Sequence, residues 1–336
     1  MNQQSKFSRI GVVGAGAWGT ALAVSACRAG REVVLWARES AVVSAVNEQH
    51  RNTMFLPDAE LDPAIRATSD LADITACDAV LLVVPAQFLR AICEELAPLW
   101  RDGVAAVVCA KGIEQGSGAL MTTVVQESLP QAALAVLSGP TFAAEVARGL
   151  PTAITLACED EALGQQLIEA VGTPMFRPYL ADDLIGAEVG GAVKNVLAIA
   201  CGVVTGRQLG SNARAALINR GLAEMMRLGR ALGARPETMM GLSGMGDLVL
   251  TCSSEQSRNM SLGAALGRGE RLADILAERN SVAEGVASAP AVMELAVRLD
   301  VDMPICEAVN AILHGGFDVE DIITGLLARP FRHETL

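Results

Sequence analysis

The sequence predicts two domains, an α/β domain with a doubly wound parallel sheet followed by an all-helical domain. Over the first half of the chain, short segments that are apolar throughout alternate with helical segments. Such strands are buried on both faces, which is typical of a parallel sheet covered by helices. A glycine-rich turn follows the first of these segments. After residue 183 only helical patterns remain, so the predicted domains are residues 1–183 and 184–336.

Six apolar segments are the predicted strands of the first domain. The first strand lies at the start of RIGVVGAGAWGTALAVSACRAG. This stretch then continues through a glycine turn into a helix that ends near Gly30. Segments such as QFLRAICEELAPLW, between later strands, have helical character. The other predicted strands are REVVLWAR, DAVLLVVPA, VAAVVCAKG, LAVLSGP and TAITLAC.

The second domain is predicted to consist of helices joined by short loops. Its apolar residues recur with helical spacing, and no internal repeat or low-complexity linker interrupts them. The predicted helices are GAEVGGAVKNVLAIACGVVTG, ARAALINRGLAEMMRLGRALG, SRNMSLGAALGRG, LADILAER, SAPAVMELAVRL and ICEAVNAILHG.

Composition excludes several classes of function. The chain has 336 residues, 51% of them hydrophobic, and a formal net charge of −12. This charge repels nucleic acid and anionic membranes, so neither is expected as a partner. Eight cysteines without a C-x-x-C pair and only three histidines argue against a metal site. We expect reduced thiols in a cytoplasmic protein, and the apolar helical domain suggests a homodimer.

The uncharged stretch between Arg9 and Arg28 has the length of a membrane span or a signal peptide. Three of its four glycines, Gly14, Gly16 and Gly19, have G-x-G-x-x-G spacing after a strand and before a helix. In the Rossmann fold these glycines allow a tight turn, close approach of the backbone to a pyrophosphate, and packing of helix on strand. The helix N-terminus then attracts the anion. We therefore predict a dinucleotide site rather than an exported segment.

Arg38 and Glu39 lie at the end of the second strand, where dinucleotide folds distinguish the two nicotinamide cofactors. An arginine at this point favours the 2′-phosphate of NADP(H) through charge-assisted hydrogen bonds. Glu39 beside it leaves NAD(H) open, since an acidic residue binds the free ribose hydroxyl. The sequence favours NADP(H).

Lys194 is the one charged residue in GGAVKNVLAIACGVV, which we predict to be a buried helix. Burial of an unpaired ammonium is costly, so we expect this lysine to face a cleft between the domains. Lys111 follows the fourth strand and is a candidate for a second cation that lowers the pKa of Lys194 toward neutrality. Asp247 is a candidate partner for Lys194, and Asn195 and Thr251 are candidate hydrogen-bond partners.

Simpler interpretations of these residues remain open on local grounds. A lone lysine in an apolar helix often extends its ammonium to the surface, and Lys111 has the alternative of a loop lysine. Asp247 follows GMG and has the alternative of a helix cap or turn residue.

Two further segments suggest a phosphate site. SGPTFAAEV ends the fifth strand with Gly139 and Thr141 and opens a helix. QSRN, with Ser257, Arg258 and Asn259, has the pattern of a helix start, where free N–H groups and an arginine bind phosphate.

Seven segments of the sequence together indicate a family. They are GAGAWGTALA, FLPD, AKGIE, SGPTFAAEVARGLPTA, GGAVKNVLAIA, NARAALINRGLAEM and GMGDLVLTCSSEQSRN. With these segments the sequence resembles the NAD(P)-dependent glycerol-3-phosphate dehydrogenases of bacteria. The similarity runs from about residue 8 to residue 330, with the motifs in the same order as in that family.

The resemblance implies that the protein interconverts dihydroxyacetone phosphate and sn-glycerol 3-phosphate and supplies glycerophospholipid synthesis. It implies that Lys194 is the proton acceptor, with Lys111 and Asp247 as further catalytic residues. The implied substrate contacts are Lys111, Gly139, Thr141, Lys194, Asp247, Ser257, Arg258 and Asn259. The implied cofactor contacts, besides the glycines, are Ala17, Trp18, Arg38, Lys111, Ala143, Arg258, Val282 and Glu284.

Two other functions fit the same architecture. A related Rossmann dehydrogenase of another hydroxy or sugar-phosphate substrate also uses a lysine on a helix, although QSRN and SGPTF argue against simple hydroxy acids. A non-catalytic NAD(P) sensor is the second alternative, and the complete set of candidate catalytic residues argues against it.

Overall fold

The computed structural model describes residues 7–278 and 283–330, which divide into two compact units. The first unit comprises residues 7–110 and 121–184. The second comprises residues 111–120, 185–278 and 283–330. The segment 111–120, which carries Lys111, thus belongs to the second unit, whereas the sequence predicts an uninterrupted first domain up to residue 183. The spacing of apolar residues did not indicate that this segment leaves the first domain.

The first unit is built on an eight-stranded sheet, counted over the described residues. Its order is β10-β9-β8-β7-β6-β1-β2-β5, and a short hairpin, β3-β4, lies outside it. The strands are β1 (Arg9–Val13), β2 (Glu32–Trp36), β3 (Arg51–Asn52), β4 (Leu56–Glu60), β5 (Ile65–Thr68), β6 (Ala79–Leu82), β7 (Ala105–Val108), β8 (Ala133–Ser138), β9 (Thr152–Ala157) and β10 (Phe176–Ala181).

The predicted sheet is confirmed, with one correction to its direction. All six predicted strands form, and neighbours from β5 to β8 are parallel. The pair β8-β9 is antiparallel, and β10 then runs parallel to β9. The sheet is therefore mostly rather than wholly parallel. The apolar sequence of β9 reflects burial on both faces, which both directions share, so its composition did not reveal the direction.

Helices cover the sheet of the first unit, and β1, β2 and β6 to β8 are almost completely buried beneath them. The glycine turn after β1 leads into the first of these helices, which packs on the helix that follows β8. The helices are α1 (Ala17–Arg28), α2 (Ser40–Gln49), α3 (Ala72–Thr75), α4 (Leu89–Leu96), α5 (Met121–Ser128), α6 (Ala143–Arg148) and α7 (Glu161–Val171).

The second unit is helical, as the sequence predicts. Its described helices are α8 (Leu184–Gly206), α9 (Gly210–Leu232), α10 (Pro236–Met240), α11 (Asp247–Ser253), α12 (Arg258–Gly267), α13 (Leu272–Ala277), α14 (Glu284–Arg298), α15 (Pro304–His314) and α16 (Val319–Leu327). Between α10 and α11 lies a π-helical segment, Leu242–Gly246, which we name the π turn.

Helix α8 forms the centre of the second unit. It is long and apolar enough to span a membrane, but 89% of its most apolar window is buried inside the protein, as in a core helix. Its C-terminal half lies directly against α12, because a Cβ placed on Gly202 or Gly263 would lie 2.1 or 2.0 Å from a backbone oxygen of the facing helix. Side chains on α8 therefore project into densely packed surroundings.

Candidate functional site

The glycine turn between β1 and α1 is held by its own backbone. Gly14 has φ = +113°, a conformation that favours glycine, and its N–H donates to the carbonyl of Trp36 at 3.1 Å. A Cβ on Gly19 would lie 1.8 Å from the carbonyl oxygen of Gly14, so α1 starts in contact with the turn. The first and third glycines of the motif thus have the roles that the sequence predicts.

The residues after the turn fit the diphosphate of a dinucleotide. A Cβ on Gly16 would meet no atom of the described residues within 4 Å, and among these residues no side chain caps the N-terminus of α1 at Ala17. The indole N–H of Trp18 is buried and has no hydrogen-bond partner in the described part of the chain. Free N–H groups at a helix N-terminus bind anions, so this segment would hold the cofactor.

Arg38 and Glu39 lie just beyond β2 and pair with each other. The Arg38 Nη2 and Glu39 Oε1 atoms are 3.1 Å apart, and 75% of the arginine side chain is exposed. An exposed pair of this kind contributes little stability, so a 2′-phosphate can compete for the guanidinium. Gly139, Thr141 and Ala143 also belong to the first unit, in the connection from β8 into α6, where the Thr141 hydroxyl donates to the Gly139 carbonyl at 3.3 Å.

The second unit brings Lys111, Lys194 and Asp247 together in one buried cluster. Lys194 Nζ lies 2.5 Å from Asp247 Oδ1, and Lys111 Nζ lies 2.7 Å from Asp247 Oδ2. The Asp247 side chain is fully buried, and the lysine side chains are 8% and 12% exposed. Lys194 also donates to the Thr251 hydroxyl at 3.0 Å, as expected from the sequence. Lys194 is thus paired inside the protein, and Asp247 holds both ammoniums rather than capping α11.

Burial and neighbouring charges set the protonation of this cluster. Burial, together with the nearby Lys111 ammonium, lowers the pKa of Lys194 to about 8, although Asp247 and Glu284 act in the opposite direction. Burial likewise raises the pKa of Glu284, against the influence of Arg258 and the two lysines. A lysine with a pKa near neutrality can both donate and accept a proton at physiological pH.

A second layer of hydrogen bonds surrounds the cluster. The Asn259 amide donates to Asn195 Oδ1 at 2.9 Å and accepts from the Gly285 N–H at 2.9 Å. The Asn195 amide Nδ2 in turn donates to Glu284 Oε2 at 3.4 Å. These bonds connect α12 and α14 to the residue next to Lys194.

The predicted helix start at QSRN is confirmed. Ser257 is the N-cap of α12 and accepts from the Met260 N–H at 3.2 Å, and Arg258 is the first helical residue. Arg258, Lys111 and Lys194 all act electrostatically on Glu284, and the two lysines pair with Asp247, so three cations lie around two carboxylates in the second unit. A site with excess positive charge suits a phosphorylated substrate. Val282, another residue suggested by the sequence, lies outside the described residues.

Comparison with known proteins identifies the family. The model of the NAD-dependent glycerol-3-phosphate dehydrogenase N-terminus matches residues 9–164, and that of the C-terminus matches residues 183–324. A protein of Maricaulis maris named glycerol-3-phosphate dehydrogenase [NAD(P)+] is 62% identical over 98% of this chain and 99% of its own length. A protein of Caulobacter vibrioides with the same name is 61% identical over 98% of this chain and 99% of its own.

The crystal structure of glycerol-3-phosphate dehydrogenase from Coxiella burnetii superimposes with a TM-score of 0.93. It is 40% identical to this chain and covers 96% of it and 99% of its own length. The chain belongs to the NAD-dependent glycerol-3-phosphate dehydrogenase family. The family expected from the sequence is confirmed, and with it the Rossmann and helical architecture.

The sequence motifs did not reveal one structural residue of this glycerol-3-phosphate dehydrogenase family member, Asn52. Its side chain is fully buried and donates to the Ala15 carbonyl at 2.7 Å and to the Thr20 hydroxyl at 2.8 Å. The same side chain accepts from the Phe55 N–H at 3.1 Å. Asn52 therefore braces the glycine turn from the hairpin β3-β4. Its position just before the quoted FLPD motif was the available signal.

The scarcity of lysine is a second signal in the sequence of this family member. Only three of its 26 basic residues are lysines, at positions 6, 111 and 194. Two of these three form the cluster on Asp247. Arginine does not release its proton in proteins, whereas a buried lysine does. A chain that uses arginine almost everywhere else thus has two of its three lysines in one buried cluster.

Proposed function

We propose that this chain interconverts dihydroxyacetone phosphate and sn-glycerol 3-phosphate with NAD(P)H, and that NADP(H) is preferred through Arg38. The observation that carries the proposal is the buried cluster in which Asp247 bridges Lys111 and Lys194. Family membership supports the same reaction, because the relatives with about 60% identity are named for it. Two ammoniums against one carboxylate suit a substrate that is anionic and develops an alkoxide.

The nicotinamide supplies the hydride when it is bound. In the direction of ketone reduction, the Lys194 ammonium donates its proton to the developing alkoxide oxygen. In the direction of alcohol oxidation, neutral Lys194 accepts the proton of the hydroxyl. The pKa of about 8 allows both steps near neutral pH. Asp247 holds the Lys194 nitrogen in place, and the Thr251 hydroxyl fixes a second direction of its N–H groups.

The substrate phosphate is proposed to bind at the start of α12. Ser257 and Asn259 are almost completely buried there, and Arg258 occupies the first helical turn. Anions bind favourably at such helix ends. Gly139, Thr141 and Lys111 are further proposed substrate contacts on the family resemblance alone. Glu284 and Ala143 stay proposed cofactor contacts.

The decisive experiment follows NADPH and NADH oxidation by the purified protein with dihydroxyacetone phosphate. We expect turnover with both cofactors. At the same low concentration of cofactor, the rate with NADPH should exceed the rate with NADH. Lys194→Met keeps the length of the side chain but removes its proton, so we expect kcat to fall by about 10² to 10⁴-fold with unchanged NADPH affinity. Dihydroxyacetone without phosphate serves as the control substrate, for which we expect kcat/KM to fall at least about 100-fold.

Two results would overturn the proposal in different ways. Wild-type protein that binds NADPH but reduces no phosphorylated ketone would favour the sensor. Equal rates with and without the substrate phosphate would favour a dehydrogenase of another hydroxy compound.

A role in supplying glycerol 3-phosphate for glycerophospholipid synthesis follows from the proposed reaction. We also propose a cytoplasmic location, because all eight cysteines, which lie within the described ranges, are free thiols. Sedimentation of the purified protein would test the predicted homodimer.

A further inference from the structure

Helix α8 and the π turn touch through their backbones one turn away from the lysine cluster. A Cβ placed on Gly190 would lie 2.3 Å from the Ser243 carbonyl oxygen and 2.9 Å from the Gly244 Cα. Non-bonded carbon atoms prefer about 3.5 to 4.0 Å, so any side chain at position 190 would displace the turn by at least about 1 Å. Only glycine permits this contact.

The backbone contact between Gly190 and Ser243 lies on the same face of α8 as the ion pair between Lys194 and Asp247. Lys194 follows Gly190 by four residues on α8, and residues four apart lie on the same helix face. Asp247 likewise follows Ser243 by four residues. The backbone contact between Gly190 and Ser243 therefore lies one turn before the contact between Lys194 Nζ and Asp247 Oδ1.

The π turn directly precedes Asp247. The Gly246 N–H donates to the Gly241 carbonyl at 3.0 Å, five residues earlier, instead of the four of an α-helix. One residue turns an α-helix by about 100°, so the wider turn changes which face of the following helix meets α8. π-helical turns inside helical segments occur frequently at functional sites.

We propose that Gly190 and the π turn are positioning elements of the reaction, whose backbone contact holds the Asp247 carboxylate against the Lys194 ammonium. The proposal rests on the proposed function, in which Lys194 transfers the proton. Gly190 touches no reacting atom in this scheme. It acts through the placement of Asp247.

Gly206 provides a matched control on the same helix. A Cβ on Gly206 would lie 2.2 Å from the Ala264 carbonyl oxygen, which is close to the 2.3 Å at Gly190. Gly206 lies 12 residues after Lys194, about 18 Å along the helix, whereas Gly190 lies four residues away, about 6 Å. Both alanine variants force a neighbouring backbone to move. Only the Gly190 variant moves the π turn.

The scarcity of lysine gives a direct readout. Protein labelled with ¹³C at lysine Cε has three lysine side-chain signals, which Lys6→Arg and Lys111→Arg assign. The groups that act on Lys194 are Asp247 and Glu284, which raise its pKa, and Lys111 and burial, which lower it; the Cys252 thiol also lies nearby. In Gly190→Ala the carboxylate moves away, so we expect the pKa of Lys194 to fall by about one unit or more below the wild-type value.

We expect kcat of Gly190→Ala to fall by about 10- to 100-fold, since misplacement by 1 Å at a reacting group has effects of this size. NADPH affinity should stay unchanged. Gly206→Ala should keep the wild-type titration of Lys194, whether or not the KM of this variant for the substrate changes. A folded Gly190→Ala protein with the same Lys194 titration as Gly206→Ala would overturn the proposal. The titration is independent of turnover, so an inactive wild type would refute the proposed function without deciding this inference.

A second variant addresses the turn from the other side. Met245 lies in the π turn with 39% of its surface exposed, so its deletion removes the extra residue without removing a buried side chain. We expect the deletion to turn Asp247 away and to lower the pKa of Lys194, while Met245→Ala keeps the wild-type titration. An unchanged Lys194 titration in the folded deletion variant would contradict a positioning role of the turn.

Discussion

The glycine turn of the first unit and the lysine cluster of the second unit are proposed to bind anionic groups in different ways. In the turn, the proposed binding groups are backbone N–H groups, and the three motif glycines that shape it lie within Gly14 to Gly19, with Asn52 as a brace from the hairpin β3-β4. In the cluster, side-chain charges come from positions that are 53 and 136 residues apart along the chain. A backbone site is therefore specified by local spacing. A side-chain site depends on the packing of the whole unit.

The comparison predicts its largest effect for Asp247→Asn. This change leaves the buried Lys111 and Lys194 ammoniums facing each other without a carboxylate, and breaking a buried ion pair costs about 3 to 5 kcal/mol. We expect the free energy of unfolding to fall by this order and kcat to fall by at least about 100-fold, because Lys194 is no longer held. Urea unfolding and steady-state kinetics measure the two effects.

Thr251→Val is the matched control for Asp247→Asn. It removes a contact to the same Lys194 nitrogen but no charge, so the expected loss of stability is only about 1 kcal/mol. Equal losses in the two variants would show that packing rather than charge holds the cluster together.

A smaller effect is expected in the glycine turn, where two alanine substitutions should separate folding from binding. Gly19→Ala forces a Cβ onto the Gly14 carbonyl, so we expect the free energy of unfolding to fall by about 1 to 3 kcal/mol. Cofactor binding should be lost as well, because the turn itself is displaced. Gly16 has φ = −65° and no described neighbour within 4 Å of its Cβ position, so alanine fits there.

The Gly16→Ala protein should keep its melting temperature. Its methyl group would stand where the diphosphate approaches, so we expect NADPH to bind about tenfold more weakly, equivalent to about 1.4 kcal/mol. Fluorescence titration with NADPH and thermal unfolding measure both properties. Wild-type affinity in Gly16→Ala would argue that the cofactor does not approach this turn.

The same contrast explains how much of the molecule the sequence predicts. The strands, the glycine turn and the α12 start at Ser257 were predicted because each depends on neighbouring residues. The antiparallel β9, the bracing by Asn52 and the π turn were missed, because direction, long-range hydrogen bonds and a single extra residue leave no periodic signal. Lys194 was found as the one charge in an apolar segment, Lys111 by its place after the fourth strand, and Asp247 as a candidate partner for Lys194. Their mutual contact follows only from the fold.

The last prediction concerns the pH dependence of the reaction, which separates charge from proton transfer. Lys194 has its pKa lowered from 10.5 to about 8, so the neutral amine needed for alcohol oxidation forms as pH rises through 8. Below pH 8, kcat for glycerol 3-phosphate oxidation should therefore rise about tenfold per pH unit and level off above it. Ketone reduction needs the ammonium, so its rate should fall above pH 8.

Replacement of each lysine by arginine tests this assignment, because arginine keeps its charge but does not release its proton. Lys194→Arg should abolish the inflection near pH 8 and lower the oxidation rate at pH 8 by about tenfold or more. Lys111→Arg alters the geometry around Asp247 and is expected to lower kcat/KM, yet it should keep the inflection, because this residue is proposed to contribute charge alone. If Lys111→Arg abolished the inflection and Lys194→Arg kept it, the two lysines would have exchanged roles. The proton would then pass through the segment 111–120 rather than through α8.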